Sequence, residues 1–518
     1  MSPPASLSRS QLEQLIACGG GSAAEFYELG SLKLRDGDAV GAVSAYRRCV
    51  ELEPHHAGAH NNLGSALLKS GEPLAAIEAL QAALRLQPKY LRALTNLGKA
   101  LREAGRPLEA VAALEQALAQ DPGYVPALVN MADARVAVGD AQAGERLLER
   151  CIELAPRLIE ARTSLGICQL QRGRLPTAIA TLRSAVALDP GHAEAHLNLA
   201  HALFASGDWT AAWPHFEHRL RRFDAIETPP LSSRWNGRAE PGLELWLLGE
   251  QGLGDQIQFA RYARLFADRG ISCRLACHPR LVDLLARADL GAAKVQAHGT
   301  SPEGPHARWL PLMSAPRWHG TTRDSIPGGG VYLRAQEERV AYWRDRLPRG
   351  PKPRIGLVWA GNPRVERGRF AGRSPPLSSL APLFGIDATF VSLQLGGDEA
   401  LEQAGFASKA VRLAGLDDGP SAFLDSAAVL KCLDLLVTSD TAAAHVSGGL
   451  GVPTWLCLKE DPDWRWTISG SGTPWYASMR LFRQPRGGDW TAVYRDVASA
   501  IGRHLHEQRA WICHEELR

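Results

Sequence analysis

The stretch NNLGSALLKSGEPLAAIEALQAALRLQP (61–88) returns in outline as TNLGKALREAGRPLEAVAALEQALAQDP (95–122), 34 residues later. Working outward, the same step places prolines at Pro54, Pro88, Pro122, Pro156 and Pro190. It also places Leu29-Gly30, Leu63-Gly64, Leu97-Gly98, Met131-Ala132, Leu165-Gly166 and Leu199-Ala200. A second glycine row runs through Gly37, Gly71, Gly105, Gly139, Gly173 and Gly207. A bulky row follows at Tyr46, Leu80, Leu114, Leu148, Leu182 and Phe216. A fixed period of this size marks stacked helical hairpins, because one hairpin cannot bury its apolar face alone. The small residue of the first row lets the second helix approach the first. The second glycine row ends the first helix, where a left-handed residue suits glycine. The proline stops the second helix.

Six copies, spanning 23–226, resemble the tetratricopeptide repeat. They imply an all-α superhelix with a concave binding face, preceded by a cap or tail over 1–22. One row faces the concavity by repeat geometry: Asn62, Asn96, Asn130 and Asn198, interrupted by Glu28 and Ser164. An amide both donates and accepts, so a ladder of them holds an extended peptide through its backbone. The row resembles the asparagine ladder of the O-GlcNAc transferases, which implies a polypeptide acceptor. The alternative is that asparagine is simply common at this repeat position.

Composition sets the outer bounds. The 518 residues carry 58 Lys+Arg against 55 Asp+Glu, a net +3. That balance argues against a dedicated nucleic-acid binder. No run approaches the ~20 apolar residues of a membrane span, and the first residues, MSPPASLSRSQLEQLIACGGG, lack the apolar core of a secretory signal. The nine cysteines are odd in number and scattered, which fits free thiols in a cytoplasmic protein.

After WPHFEHRLRRFD (213–224) the period stops, and 227–242, rich in Pro, Ser and Gly, reads as a linker. Beyond it, short apolar runs alternate with helical patterns, the signature of parallel sheets. LWLLGE (245–250), ISCRLACHP (271–279), WLPLM (309–313) and GVYLR (330–334) are expected strands, with LVDLLARA a helix between. A second series begins near 351: RIGLVWAG (354–361), TFVSLQLG (389–396), LDLLVTSD (433–440) and VPTWLCL (452–458). Helices are expected at AAVLKCL, at TAAAHVSGGLG and from Trp490 onward. The expected architecture is an α/β half over 243–350 and a second over 351–518.

Particular residues carry a further resemblance. LLGEQGLGDQIQFARY is similar to the opening strand-turn-helix of heptosyltransferase-like glycosyltransferases, and LDLLVTSDTAAAHVSGGLGVPTWLCL to their donor segment. IGLVWAGNP, Arg373-Ser374, PDWRW (462–466), PWY (474–476) and RLFRQ resemble bacterial proteins that join these repeats to such a region. The resemblance implies a GT-B fold of two Rossmann-like halves, with the nucleotide-sugar donor on the second. The co-substrate would be a nucleotide-diphosphate sugar, with no resident cofactor and no metal. The acceptor would be a polypeptide, with flagellin or another appendage subunit as a candidate. A homo-oligomer is compatible with this reading.

The implied site follows residue by residue. Asp440, Thr441, Ala442, Ala443 and Ala444 would open a helix whose N–H groups suit a diphosphate. His445 would donate to phosphate or sugar, or else be a core histidine. Arg373 would balance the leaving diphosphate, with Arg364, Arg367, Arg369 and Lys459 as rival cations. Gly254 lies in the donor-side turn. Asp255 is implied as the general base on the acceptor hydroxyl, or else as a helix cap.

Asp461-Pro462-Asp463 spells a metal motif of another fold and reads here as a loop. The pairs His56/His60 and His192/His196, and Cys273-x3-Cys277-His278, lack the partners of a zinc site. Two rivals stand beside the protein glycosyltransferase. One is a heptosyltransferase-like enzyme acting on a glycolipid or polysaccharide. The other is a non-catalytic scaffold.

Overall fold

The computed structural model describes residues 8–515, apart from 18–19, 222–228, 239, 292, 300–301, 303, 328–329, 363–365 and 367–371. It divides into two compact units, Met1–Leu199 and Ala200–Arg518.

The first unit is all α. After a short helix, Arg9–Ala17, come the helix pairs Ala23–Arg35/Ala39–Leu52, Ala57–Ser70/Pro73–Leu86, Leu91–Glu103/Pro107–Gln120, Val125–Ala137/Ala141–Leu154 and Ile159–Gln171/Leu175–Leu188. The first helix of a sixth pair, Ala193–Ser206, follows. Leu12 of the short helix is fully buried against Leu29 and Ala45, so this part of the N-terminal segment caps the first repeat.

The two glycine rows act as their spacing predicts. Gly37, Gly71, Gly105, Gly139 and Gly173 all have φ between 69° and 90°, the left-handed conformation that ends each first helix. Gly98 instead serves close approach: a Cβ there would stand 2.4 Å from Leu114 Cγ, its partner in the bulky row. Gly98→Val is therefore expected to overpack this contact and cost about 1–3 kcal/mol, readable as a lower midpoint in urea denaturation. The histidine pairs also have local roles. His56 and His192 each accept an N–H bond of 3.1 Å as helix caps. His60 and His196 bond the carbonyls of Pro54 and Pro190.

The second unit opens with the end of the sixth repeat, a helix at Trp209–Phe216 and a 3-10 turn at Glu217–Arg221. Two all-parallel sheets follow. The first contains β1 (Glu244–Leu248), β2 (Ser272–Cys277), β3 (Lys294–Ala297) and β4 (Ala307–Pro311), in the order β3-β2-β1-β4. The second contains β5 (Arg354–Val358), β6 (Thr389–Ser392), β7 (Leu435–Ser439), β8 (Thr454–Leu458) and β9 (Met479–Arg483), in the order β6-β5-β7-β8-β9. Each sheet winds first to one side and then to the other. The direction switches between β1 and β4 in one and between β5 and β7 in the other, and ligands of open α/β sheets gather outside the strand carboxyl ends at such points.

Several expected elements differ. GVYLR forms no strand: the N–H groups of Tyr332 and Leu333 both donate to the Gly449 carbonyl, at 3.0 Å each. Its apolar side chains instead cover the helix Ala442–Gly449. LVDLLARA yields a 3-10 turn and a single helical turn, Val282–Leu285. The edge strands β3 and β9 escape the pattern. KVQA is short and polar, and β9 alternates only loosely.

The part of the sixth repeat that belongs to the second unit, from Ala200 onward, contributes to that unit's own core. Phe204 stacks on Trp464 at 4.2 Å, Trp209 stacks on Trp475 at 5.9 Å, and Trp213 meets Trp464 edge-on at 5.7 Å. Such pairs contribute beyond their buried area. Beside them Arg219, fully buried, grips Glu250 just past β1, with Nη2 2.6 Å from Oε1 and Nε 3.1 Å from Oε2.

Candidate functional site

The turn after β1 runs Gly249-Glu250-Gln251-Gly252 and opens the helix Leu253–Ala260. Gln251 has φ 59°, a left-handed conformation at a non-glycine residue, beside the expected base. Asp255 Oδ2 accepts the Gly252 N–H at 2.9 Å: Gly252, not Asp255, is the helix cap, and Asp255 is the third helical residue reaching back to it. Its Oδ1 has a second role, in an ion pair with the Arg465 guanidinium. One-fifth of the Asp255 side chain remains exposed.

Arg465 lies in the PDWRW segment, on the 3-10 turn Trp464–Trp466. Its Nη1 donates to Asp463 Oδ1 at 2.7 Å and its Nε to Gln258 Oε1 at 2.7 Å. One buried guanidinium thus ties the β1 turn to the second sheet's loops. Burial opposes its charge, but Asp463 and Asp255 raise its pKa and hold it protonated.

Gly254 is a close-approach glycine. A Cβ there would lie 2.8 Å from His445 Cδ2 and 3.3 Å from Ala442 Cα. Its lack of a side chain therefore brings the helix after β1 against the helix after β7, Ala442–Gly449.

At the carboxyl end of β7, Asp440 is half-buried. Burial, then the nearby charge of Asp463, push its carboxyl up to about 6, against the pull of Arg465 and Arg373. Thr441 caps the following helix without a side-chain bond to its backbone, and Thr441 Oγ1 lies 3.2 Å from Thr438 Oγ1. Ala442 and Ala443, half-buried, form the first turn. His445 is buried: its Nδ1 bonds the Tyr476 hydroxyl at 3.0 Å and its ring stacks on Trp466 at 5.4 Å. Burial, then Arg465 and Arg261, hold it well below the ordinary histidine range, as a neutral imidazole.

Arg373 stands at the β5 end of the site. It pairs with Glu366 at 3.4 Å and lies beside Gly361. Lys459 directly follows β8 and is half-buried. Arg364, Arg367 and Arg369 lie outside the described residues.

Two buried polar atoms here have no hydrogen-bond partner among the described residues, Ser439 Oγ and Gln258 Nε2, whereas the Trp466 indole bonds the Asp440 carboxylate and the Arg261 guanidinium bonds the Tyr332 and Tyr476 hydroxyls. Buried polar groups are normally satisfied, so these two atoms, one after β1 and one at the end of β7, suit a site completed by a polar ligand. Among the described residues, no group of three or more His, Cys, Asp or Glu is arranged to hold a metal ion.

Sequence reasoning missed Arg465, Trp466, Tyr476 and Gln258. One signal was available: an arginine between two tryptophans is headed for burial, and a buried arginine needs carboxylates. It does not say which ones.

In the first unit, the four asparagines are placed differently. Asn96 and Asn130 line one hollow of about 550 Å³, of which Asn62 and Asn198 are not part. Asn198 Nδ2 bonds the Glu194 carbonyl of its own helix at 3.0 Å. Asn62 is engaged in the wall on both sides, accepting from Asn61 at 3.0 Å and donating to the Tyr27 hydroxyl at 2.9 Å.

These features define a tetratricopeptide-repeat protein with two parallel-sheet α/β halves. Tetratricopeptide repeat models match residues 27–90 and 63–125, and 101–165 and 169–212. A relative, Protein FlbA of Caulobacter vibrioides, is 28% identical over 369 residues, covering 64% of this chain and 59% of the relative. The chain thus spans about three-fifths of the length of that relative. A thermophilic TPR protein from Thermus thermophilus is 23% identical with a TM-score of 0.33, covering 35% of this chain and 99% of its own. MamA from Desulfovibrio magneticus is 20% identical with a TM-score of 0.29, covering 33% and 97%. The repeats suggest a protein partner. No helix among the described residues is long and apolar enough to cross a membrane.

Proposed function

We propose that the chain is a glycosyltransferase of GT-B type. It transfers a sugar from a nucleotide-diphosphate sugar to a polypeptide held by the repeats, in the cytoplasm, with inversion and without metal or resident cofactor. One observation carries this reading: Asp255 after β1, Arg373 after β5 and Asp440 to His445 after β7 all lie at strand carboxyl ends by the two switch points.

In the step, the acceptor hydroxyl oxygen attacks the anomeric carbon. Its proton passes to Asp255, and the carbon–oxygen bond to the diphosphate breaks. The nucleoside diphosphate leaves with the electron pair. Each oxygen of Asp255 has two acceptor positions, so the contacts to Arg465 and Gly252 leave room for that proton. The first N–H groups of the Ala442–Gly449 helix, with Arg373 or Lys459, would stabilise the departing charge. His445, buried and neutral, serves as packing that fixes this helix.

Titration calorimetry with uridine, guanosine, adenosine and cytidine diphosphates tests the donor site. One should bind, and binding of none overturns the reading. A scaffold without catalysis is the second reading, favoured by the engagement of one Asp255 oxygen with the Gly252 N–H and of the other in an ion pair with Arg465. It predicts that a nucleotide sugar which binds is neither hydrolysed nor transferred.

Asp440 adds a pH dependence. Its folded-state pKa of about 6 lies above the ordinary 3.8, so the folded protein binds this proton more tightly. The stability this contributes is fully present below pH 3.8 and lost as pH rises through about 6. Above that pH the carboxylate also repels an anionic donor. Nucleotide-sugar affinity is expected to fall roughly ten-fold between pH 5 and 7.5, and Asp440→Asn to flatten the calorimetric profile.

A further inference from the structure

We infer that the hollow on repeats three to five is a subsite for an extended polypeptide segment with acidic side chains beside Arg92 and Lys99. The inference rests on the reading of the repeats as the acceptor-holding surface, and names the acceptor's chemistry.

Arg92, Asn96 and Lys99 lie at i, i+4 and i+7 on the helix Leu91–Glu103, so they share one face over about 10 Å. All three line the hollow, with Tyr124 and Asn130 from the next repeat and Glu160 from the one after. The register makes the third repeat distinct. The same positions hold Gly58, Asn62 and Ser65 in the second repeat, Pro126, Asn130 and Asp133 in the fourth, and Glu160, Ser164 and Ile167 in the fifth. Only the third brackets its amide with two cations. Arg92 is exposed and, among the described residues, makes no ion pair. Lys99 meets Glu103 at 4.0 Å and faces the Asp133 carboxylate of the next repeat without a close ion pair to it among the described residues.

The amides divide the face further. Asn96 Nδ2 donates to Asn61 Oδ1 at 3.0 Å, Asn61 to Asn62, and Asn62 to the Tyr27 hydroxyl. This relay binds repeats one to three together and occupies Asn62. Asn130 Nδ2 reaches the Thr95 carbonyl at 3.4 Å. Among the described residues, no donor reaches the side-chain carbonyl oxygens of Asn96 and Asn130, and each amide keeps one further N–H. Such groups match the alternating N–H and C=O of an extended backbone. Asn96 and Asn130 therefore hold the segment's main chain, and Arg92 and Lys99 select its side chains. Glu160 on the far wall disfavours acid there, so the segment that fits is acidic at one end only.

The test uses fluorescein-labelled twelve-residue Ser/Gly peptides carrying two Glu, two Lys or neither near one end. Their anisotropy is followed with the full chain and no nucleotide sugar. The Glu peptide should bind about ten-fold tighter than the Lys peptide, a preference that shrinks with added salt. In Arg92→Glu/Lys99→Glu the order should invert. Asn130→Ala should weaken all three peptides several-fold alike, while Asn198→Ala, outside the hollow and bonded to its own helix, leaves them unchanged. An uninverted order in the charge-reversed variant, or an Asn198→Ala loss equal to that of Asn130→Ala, overturns the inference. Because no donor is present, either failure leaves the transferase reading to stand or fall on nucleotide calorimetry.

Discussion

Arg219→Leu is expected to destabilise the second unit by about 3–5 kcal/mol, the cost of leaving a buried charge without its partner. Arg219 grips Glu250 through two nitrogens and reaches Glu217 at 3.0 Å and Ser314 Oγ at 2.9 Å. Glu217 keeps a second cation, Arg234, at 2.6 Å. Among the described residues Glu250 would retain only the Met313 N–H, at 3.0 Å, and would stand as an uncompensated carboxylate in the core. At about 2–4 °C per kcal/mol for a unit of this size, the melting temperature should fall roughly 10 °C. Arg219→Leu/Glu250→Leu should recover much of the loss, because an apolar pair of similar volume removes both desolvation costs. A double variant no more stable than the single one would show that Arg219 acts through packing on Phe216, 4.7 Å from its guanidinium, instead of through charge. The consequence reaches the candidate site: Glu250 begins the turn that carries Asp255, so the end of the last repeat braces the expected base.

What the sequence shows and hides follows from the range of each contact. The repeat array depends on residues within one 34-residue step: Gly98 and Leu114 meet because they lie on paired helices of one hairpin. Asp440, Thr441 and Asp255 are likewise local, each at a strand end entering a helix. Arg465 is different. Its reach to Asp255 crosses 210 residues, and nothing near either residue specifies the other. The same holds for His445 and Tyr476, whose bond turns an expected ligand into a buried support. GVYLR misled because apolar residues that cover a helix have the same pattern as those that fill a sheet. In the asparagine row, position alone cannot separate Asn62, held within the wall, from Asn130, which lines the hollow.

Asp255→Asn is expected to lower transfer by about 10²–10⁴-fold, the usual contribution of a positioned proton acceptor, with nucleotide affinity unchanged. The amide keeps the shape and its one oxygen still accepts the Gly252 N–H, but its NH2 then faces the Arg465 guanidinium, so activity is compared at a temperature where the variant's melting curve shows it folded. Arg465 gives the more discriminating comparison. It touches no reacting atom in this scheme; it holds Asp255 by charge while Asp463 and Gln258 hold it in turn. Arg465→Met should free the Asp255 carboxylate and take the guanidinium from the buried Asp463 carboxylate, which keeps the backbone N–H of residue 465. Both kcat and stability should then fall. Arg465→Lys keeps the charge but has a single nitrogen where three now donate to three acceptors. It should therefore restore stability in part while kcat stays low, since one ammonium cannot hold Asp255, Asp463 and Gln258 together. A purely structural arginine predicts the opposite pairing, with kcat and melting temperature recovering together in the lysine variant. The split between the two measurements, made on the same protein with a nucleotide sugar it binds, therefore separates a residue that positions the base from one that only fills the core.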